Sequence, residues 1–415
     1  MTSNDRRVVV TGIGMMTPLG NSAVDTYDKL LAGESGITKV TLCDTSDLDV
    51  KIAGEVKFKS ADYLDIKEQK RMDRFTQLSL IASKQAIEDA QLQINDIADE
   101  TGVIIGCGIG GLTTLEEQFD VLRNKGPQRV SPFLVPMYIS DMAAGQVSIK
   151  MGAKGPSYDT VSACASGADA VGSAYEIIKR GDATAMIAGG TESTITRLGL
   201  SAFRASRTLS IKHNDHPKLA SRPFDKNRDG FVLAEGAATL ILEEESYARN
   251  RHANVIAEIV AYKQTSDAFH ITQPSSIGEG AIKAMNGALK KARIDAKNID
   301  YINAHGTSTN LNDKTETKAI KSVFQNQAYD IPVSSTKSMI GHTLGAAGAI
   351  EAAVTAMSIK KQTIHPTINL SERDEECDLD YVTNGKRKLQ IQYAMSNSFG
   401  FGGHNAVLIF KKYSD

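Results

Sequence analysis

Asp159-Thr-Val-Ser-Ala-Cys-Ala-Ser-Gly167 sets a cysteine among small residues where a β-like run gives way to a helical pattern. Over residues 165–181, Ala168, Val171, Tyr175 and Ile178 share one stripe, and Lys179-Arg180-Gly181 is a stop signal, so a helix is predicted there. The junction puts Cys164 at the helix N-terminus. Unpaired N–H groups and the positive end of the helix dipole lower a thiol's pKa at such a place, and the thiolate is the reactive form. Cys164 is therefore the candidate nucleophile, set against the plainer reading of a small buried cysteine at a tight junction.

The same strand-then-helix grammar extends both ways. Strands are predicted at residues 8–11, 102–106, 183–192 and 236–243, and helices at about 24–32 and 67–90. Near residues 251–254 the chain begins again, with strands at 255–262, 300–304, 333–335 and 405–410 and a helix at 278–292. Alternation in both parts predicts α/β layers. A chain of 415 residues is long for one core, so two halves are expected, residues 1–250 and 251–415.

A formal net charge of −2 gives no general reason to expect nucleic acid or a membrane surface as partner. The four cysteines, at 43, 107, 164 and 377, lack Cys-x-x-Cys spacing and disulfide density, which points to a reducing, cytoplasmic setting. The apolar run 340–359 contains His342 and Glu351 and reads as a buried helix rather than a membrane span. Gly106, Gly108 and Gly111 satisfy the dinucleotide fingerprint, but no second strand ending in an acidic residue follows about 20 residues on. Close backbone packing around a turn explains the glycines better than a nicotinamide cofactor does. His213 and His216, two histidines in a basic loop, make no metal set, and no metal site is predicted.

Three motifs in the second half suit a thioester reaction: Asn303-Ala-His-Gly-Thr-Ser-Thr309, Ser334-Ser-Thr-Lys-Ser-Met-Ile-Gly-His342, and the glycine-phenylalanine loop Ser396-Asn-Ser-Phe-Gly-Phe-Gly-Gly403. With the stretch around Cys164, these make the chain resemble the β-ketoacyl-acyl-carrier-protein synthases of the elongating type, and Gly108-Ile109-Gly110-Gly111 is most like type II. The likeness runs over essentially the whole chain.

That resemblance implies a thiolase-like five-layer α-β-α-β-α sandwich of two related halves, and a homodimer. It implies decarboxylative condensation of malonyl-loaded acyl carrier protein with an acyl primer held on Cys164. The backbone N–H groups of Cys164 and Phe401 would form the oxyanion hole, with Phe401 also a gate, and His305 and His342 would hold the enolate oxygen. Lys337, Asp313, Glu316 and Glu351 match the charged network around the histidines, and Thr307 and Thr309 the pantetheine contacts. Ile109, Phe203 and Phe399 fall at the acyl pocket, with Phe133 where that pocket ends at the dimer interface. Lys67, Lys70, Arg71, Arg129 and Arg207 resemble the surface that docks the acidic carrier protein. No cofactor is required, although the likeness leaves room for a structural monovalent cation near Asn303, Glu351, Ser396 and Asn397.

Ser162, Asn310 and Ile340 depart from the usual threonine, proline and threonine. A thiolase should carry a second cysteine in the last motif, and Phe399 to Gly403 has none. The competing readings are a type I or polyketide-type synthase, and a noncatalytic chain-length partner, which retention of Cys164 and both histidines disfavours.

Overall fold

Ten strands hydrogen-bond into one sheet. They are β1 (Val8–Met16), β2 (Thr101–Gly106), β3 (Ser157–Thr160), β4 (Ala185–Glu192) and β5 (Gly236–Glu244), then β6 (Ala257–Ser266), β7 (Tyr301–Asn303), β8 (Val333–Ser334), β9 (Tyr393–Gly400) and β10 (His404–Lys411). The structure, a computed structural model, describes residues 6–414. In space the order is β8-β7-β9-β10-β6-β1-β5-β4-β2-β3. Outward from the centre, each run of five therefore lays down its first, fifth, fourth, second and third strand. The senses agree as well: first with fifth and fifth with fourth are antiparallel, fourth with second and second with third parallel, in both runs. A short antiparallel ladder, Val8 with Ile259, Val9 with Glu258 and Val10 with Ala257, joins them. The expected division at residue 250 falls after the short helix Glu245–Asn250 and before β6.

Five helices complete the layers: α1 (Arg74–Ala90), α2 (Ser166–Arg180), α3 (Glu279–Ala292), α4 (Asn310–Phe324) and α5 (Ala347–Lys361). Helices α2 and α5 pack on each other and on strands of both runs, while α1 covers β1 and β5 and α3 covers β6 and β10. The resulting sandwich is α-β-α-β-α. Its middle layer explains the composition of α5, where all 13 residues from Ala347 to Ile359 are buried: a helix enclosed on all sides is mostly apolar, and its few polar residues are partnered, Thr355 and Ser358 donating to Glu351 O and Val354 O at 2.7 and 2.8 Å and Glu351 pairing with Lys337. The two middle helices touch backbone to backbone: a Cβ on Gly348 would lie 2.6 Å from Ala168 N, and one on Gly167 2.7 Å from Ala349 N.

Two expectations need correction. The helix predicted over 67–90 is two pieces, because Asp65 caps Ile66–Gln69 with a capping box and Asp73 caps a fresh start at Arg74. Arg74, at the new start, pairs at 2.6 Å with buried Glu235. Residues 396–400, read as loop, complete β9, which pairs with both β7 and β10. Only Phe401 to Gly403 remain as the hairpin turn. Among the described residues no helix is long and apolar enough to cross a membrane.

Candidate active site

Beyond β3, a short 3-10 turn, Ala163–Ala165, carries Cys164 up to the start of α2. Ala163 has φ +53°, a left-handed backbone that a non-glycine residue keeps only where its surroundings dictate it. Here Ser166 does so: its Oγ donates to Ala163 O at 2.7 Å and accepts from Ser162 N–H at 2.9 Å. The Cys164 side is closed by the end of β9. A Cβ at Gly400 would sit 3.1 Å from Cys164 N and 2.6 Å from Ser162 O, so a glycine lets the two backbones meet. That approach brings the Phe401 N–H to the Cys164 sulfur.

The thiol is not the low-pKa group predicted from its place at a helix end. Burial pushes it up to about 11, with the Lys337 charge and the Phe401 N–H pulling the other way. Cys164 is only 8 % exposed, and desolvation of the thiolate outweighs the helix end.

His305 follows β7 and His342 follows the short helix Lys337–Ile340; both are buried, with ring centroids 5.5 Å apart. Lys337 Nζ donates to His305 O at 2.7 Å and lies 3.3 Å from His305 Nδ1. Leu344 N–H donates to His342 Nδ1 at 3.2 Å. With both Nδ1 atoms accepting, each neutral ring carries its proton on Nε2. Burial, reinforced by the Lys337 charge, holds both histidines well below the usual range and keeps them neutral. Cys164, His305, His342, Phe399 and Phe401 all line one cavity of about 500 Å³. A thiol, a backbone N–H beside it and two neutral N–H donors thus share a single chamber.

Residues 5–248 match the family Beta-ketoacyl synthase, N-terminal domain, and residues 256–371 match Beta-ketoacyl synthase, C-terminal domain. The chain belongs to the β-ketoacyl synthase family. It is 53 % identical over 413 residues to 3-oxoacyl-[acyl-carrier-protein] synthase 2 of Staphylococcus aureus (strain N315), covering 99 % of each chain. It is also 53 % identical over 410 residues to the protein of that name from Synechocystis, covering 98 % of each. Among solved structures, a β-ketoacyl synthase from Burkholderia phymatum is similar at TM-score 0.92 and 37 % identity, covering 99 % of this chain and 100 % of that one. A ketosynthase solved with its type II polyketide acyl-carrier protein and a bound hexaketide is similar at TM-score 0.91 and 35 % identity, with the same coverage.

In this β-ketoacyl synthase the buried charged groups form one linked network, Asp313 acting on Glu316 and Glu316 on Glu351 in turn. Lys337 pairs with Glu351 behind His305, and Glu316 accepts from the His305 and Gly306 N–H groups at 2.9 and 2.8 Å. Burial pushes both carboxyls up to about 7 against these partners. Asp313, grouped with them from the sequence, accepts from Phe224 N–H at 2.8 Å, lies 3.4 Å from Arg228, and adds its charge to the effects on Glu316. Arg228, farther along the chain from His213 and His216, is fully buried and donates to Thr309 O and Asn310 O at 3.1 Å each. It holds the segment that presents Thr307 and Thr309, whose hydroxyls lie 2.9 Å apart at the cavity. Ile109 and Phe203 line the same cavity, Phe203 edge-on to Phe231 at 5.6 Å. Phe133 does not line it: the ring lies on the surface, 39 % exposed, with the Arg71 guanidinium 5.1 Å above it.

Lys67, Lys70, Arg71 and Arg129 are exposed, and Arg207 is exposed at the cavity rim. Among the departures, Ser162 Oγ donates to Asp169, which also accepts from Tyr262 OH at 2.6 Å, Ile340 is buried, and Asn310 takes the first position of α4. Glu351 Oε2 and Asn397 Oδ1 are buried without a partner, and these orphaned oxygens fit a cation's needs. Among the described residues no group of three or more His, Cys, Asp or Glu is placed to hold a metal, and His213 lies instead 3.1 Å from Arg222. Besides Arg228, a buried charged residue that no motif singled out is Glu192, at the end of Gly189-Gly-Thr-Glu192. An acidic residue closing a buried strand was the available signal.

Proposed function

We propose that the chain is an elongating 3-oxoacyl-[acyl-carrier-protein] synthase of type II. The observation that carries this reading is the sharing of one cavity by Cys164 and two neutral histidines whose Nδ1 atoms are both engaged. In the first half-reaction the Cys164 sulfur attacks the acyl thioester of a loaded carrier protein. The carrier's thiol leaves with the proton Cys164 gave up, while the N–H groups of Cys164 and Phe401 hold the carbonyl oxygen. In the second, malonyl carrier protein loses carbon dioxide. Its enolate oxygen is held by Nε2–H of His305 and His342, and its α-carbon attacks the acyl-cysteine; the carbon–carbon bond forms, the carbon–sulfur bond breaks, and Cys164 is released. Neutral donors suit this step because they stabilise the enolate without quenching it. Lys337 and Glu316 orient His305, and Thr307 and Thr309 receive the pantetheine arm.

The wider setting follows from the surface. Lys67, Lys70, Arg71, Arg129 and Arg207 would meet an acidic carrier protein. Edge strand β3, with exposed Tyr158 and Val161 and the nearby Phe133, Val135 and Ile139, supports a homodimer of two such halved chains, with Phe133 reaching the pocket only in the dimer. A monovalent cation would be held by Glu351 and Asn397 beside Asn303 and Ser396, and would supply fixed positive charge there. We place the enzyme in the cytoplasm, where its free thiols are kept reduced. Intact-mass measurement after incubation with acyl carrier protein tests the core claim: the native chain should gain one acyl group and Cys164→Ala none. Acylation of the variant would remove Cys164 from the mechanism.

A further inference from the structure

Glu192 closes β4, is fully buried, and has no part in the steps above. Its Oε2 accepts from Gly108 N–H at 2.8 Å and Gly345 N–H at 3.1 Å. Its Oε1 accepts from Ile109 N–H at 3.2 Å and Gly110 N–H at 3.4 Å, and the Cys107 thiol donates to it at 3.3 Å. The glycine loop that satisfies a dinucleotide fingerprint therefore cradles the protein's own carboxylate, and its N–H groups are engaged within the fold.

The donors come from two segments with different work. One carries Ile109 into the cavity. The other follows directly on His342, whose Nδ1 accepts from Leu344, the neighbour of Gly345. A carboxylate shared between two loops cannot release one without unbalancing its bonds to the other, since a buried acceptor stripped of donors is costly. Resting on the reading of this cavity as the acyl pocket, we propose that Glu192 is a positioning residue: it passes displacement of Ile109 by an acyl chain to the turn that orients His342. Occupancy of the pocket in the first half-reaction would thus be registered at the group that serves the second.

The test is hydrogen-exchange mass spectrometry on the full chain, acylated at Cys164 with a long or a short acyl group and checked by intact mass. With the long chain, exchange in peptides spanning 107–112 and 343–347 should rise together by about tenfold, the scale of one lost bond to a charged acceptor. The short chain should leave both unchanged. In Glu192→Gln, or Glu192→Asp should the first not fold, the response at 343–347 should vanish while that at 107–112 persists. A native response confined to 107–112, or one at 343–347 that survives in the variant, overturns the proposal. Failure of the native chain to acylate is a separate outcome, seen before exchange begins, and overturns the acyl-cysteine reading itself.

Discussion

Cys164 is pulled two ways, toward the thiolate by Lys337 and the Phe401 N–H and toward the thiol by burial, and burial prevails. The consequence can be read in its reactivity. With the thiol held up to about 11, the thiolate fraction grows about tenfold per pH unit below that point. Alkylation of Cys164 by iodoacetamide, followed by peptide mapping, should therefore climb steadily from about pH 7 to about pH 10 without a plateau. A plateau below about pH 8 would show that the helix end outweighs desolvation after all. The histidines should add no inflection between about pH 6 and 8, because both are neutral throughout that range.

Helices α2 and α5 form the element on which the site depends, since Gly167 stands three residues beyond Cys164 and meets α5 near Gly348. Gly348→Ala puts a methyl 2.6 Å from the Ala168 nitrogen, and backbone cannot step aside as a side chain can. Overpacking of this kind costs about 1–3 kcal/mol, which urea denaturation would register as a lowered midpoint. Acyl transfer to Cys164 should fall with it, as α2 is pushed from its seat. Native stability together with native acylation in this variant would show that the close approach is dispensable. Legibility varied at this scale. The stripe of Ala168, Val171, Tyr175 and Ile178 announced α2 to within a residue at each end. Strand β9 did not announce itself, because Ser396-Asn-Ser-Phe-Gly400 is mostly small and polar without a period-2 apolar pattern, and its strand geometry comes from pairing along its whole length with β10 and, up to Ser396, with β7.

Across the whole molecule, a near-neutral chain presents Lys67, Lys70 and Arg71 together on its surface. If these dock the carrier protein, reversing their charge should raise KM for carrier-protein substrates well above any change seen with small pantetheine thioesters. Added salt should mimic the effect in the native enzyme, since exposed charges are screened beyond about 8–10 Å. Equal losses with both kinds of substrate would instead indicate a damaged fold. By itself, the sequence determined what each segment could contribute: the nucleophile at a strand–helix junction, two histidine motifs, a buried apolar helix and the alternation that predicts layers. Those are local properties, written in spacing and residue type. Tertiary structure alone decided the balance of effects at each of them. The pKa of Cys164, the anchoring of Asp313 by the Phe224 N–H, the burial of Arg228 and the clasp of Glu192 on a glycine loop all depend on desolvation and on hydrogen bonds between residues tens to hundreds of positions apart, which no local pattern encodes.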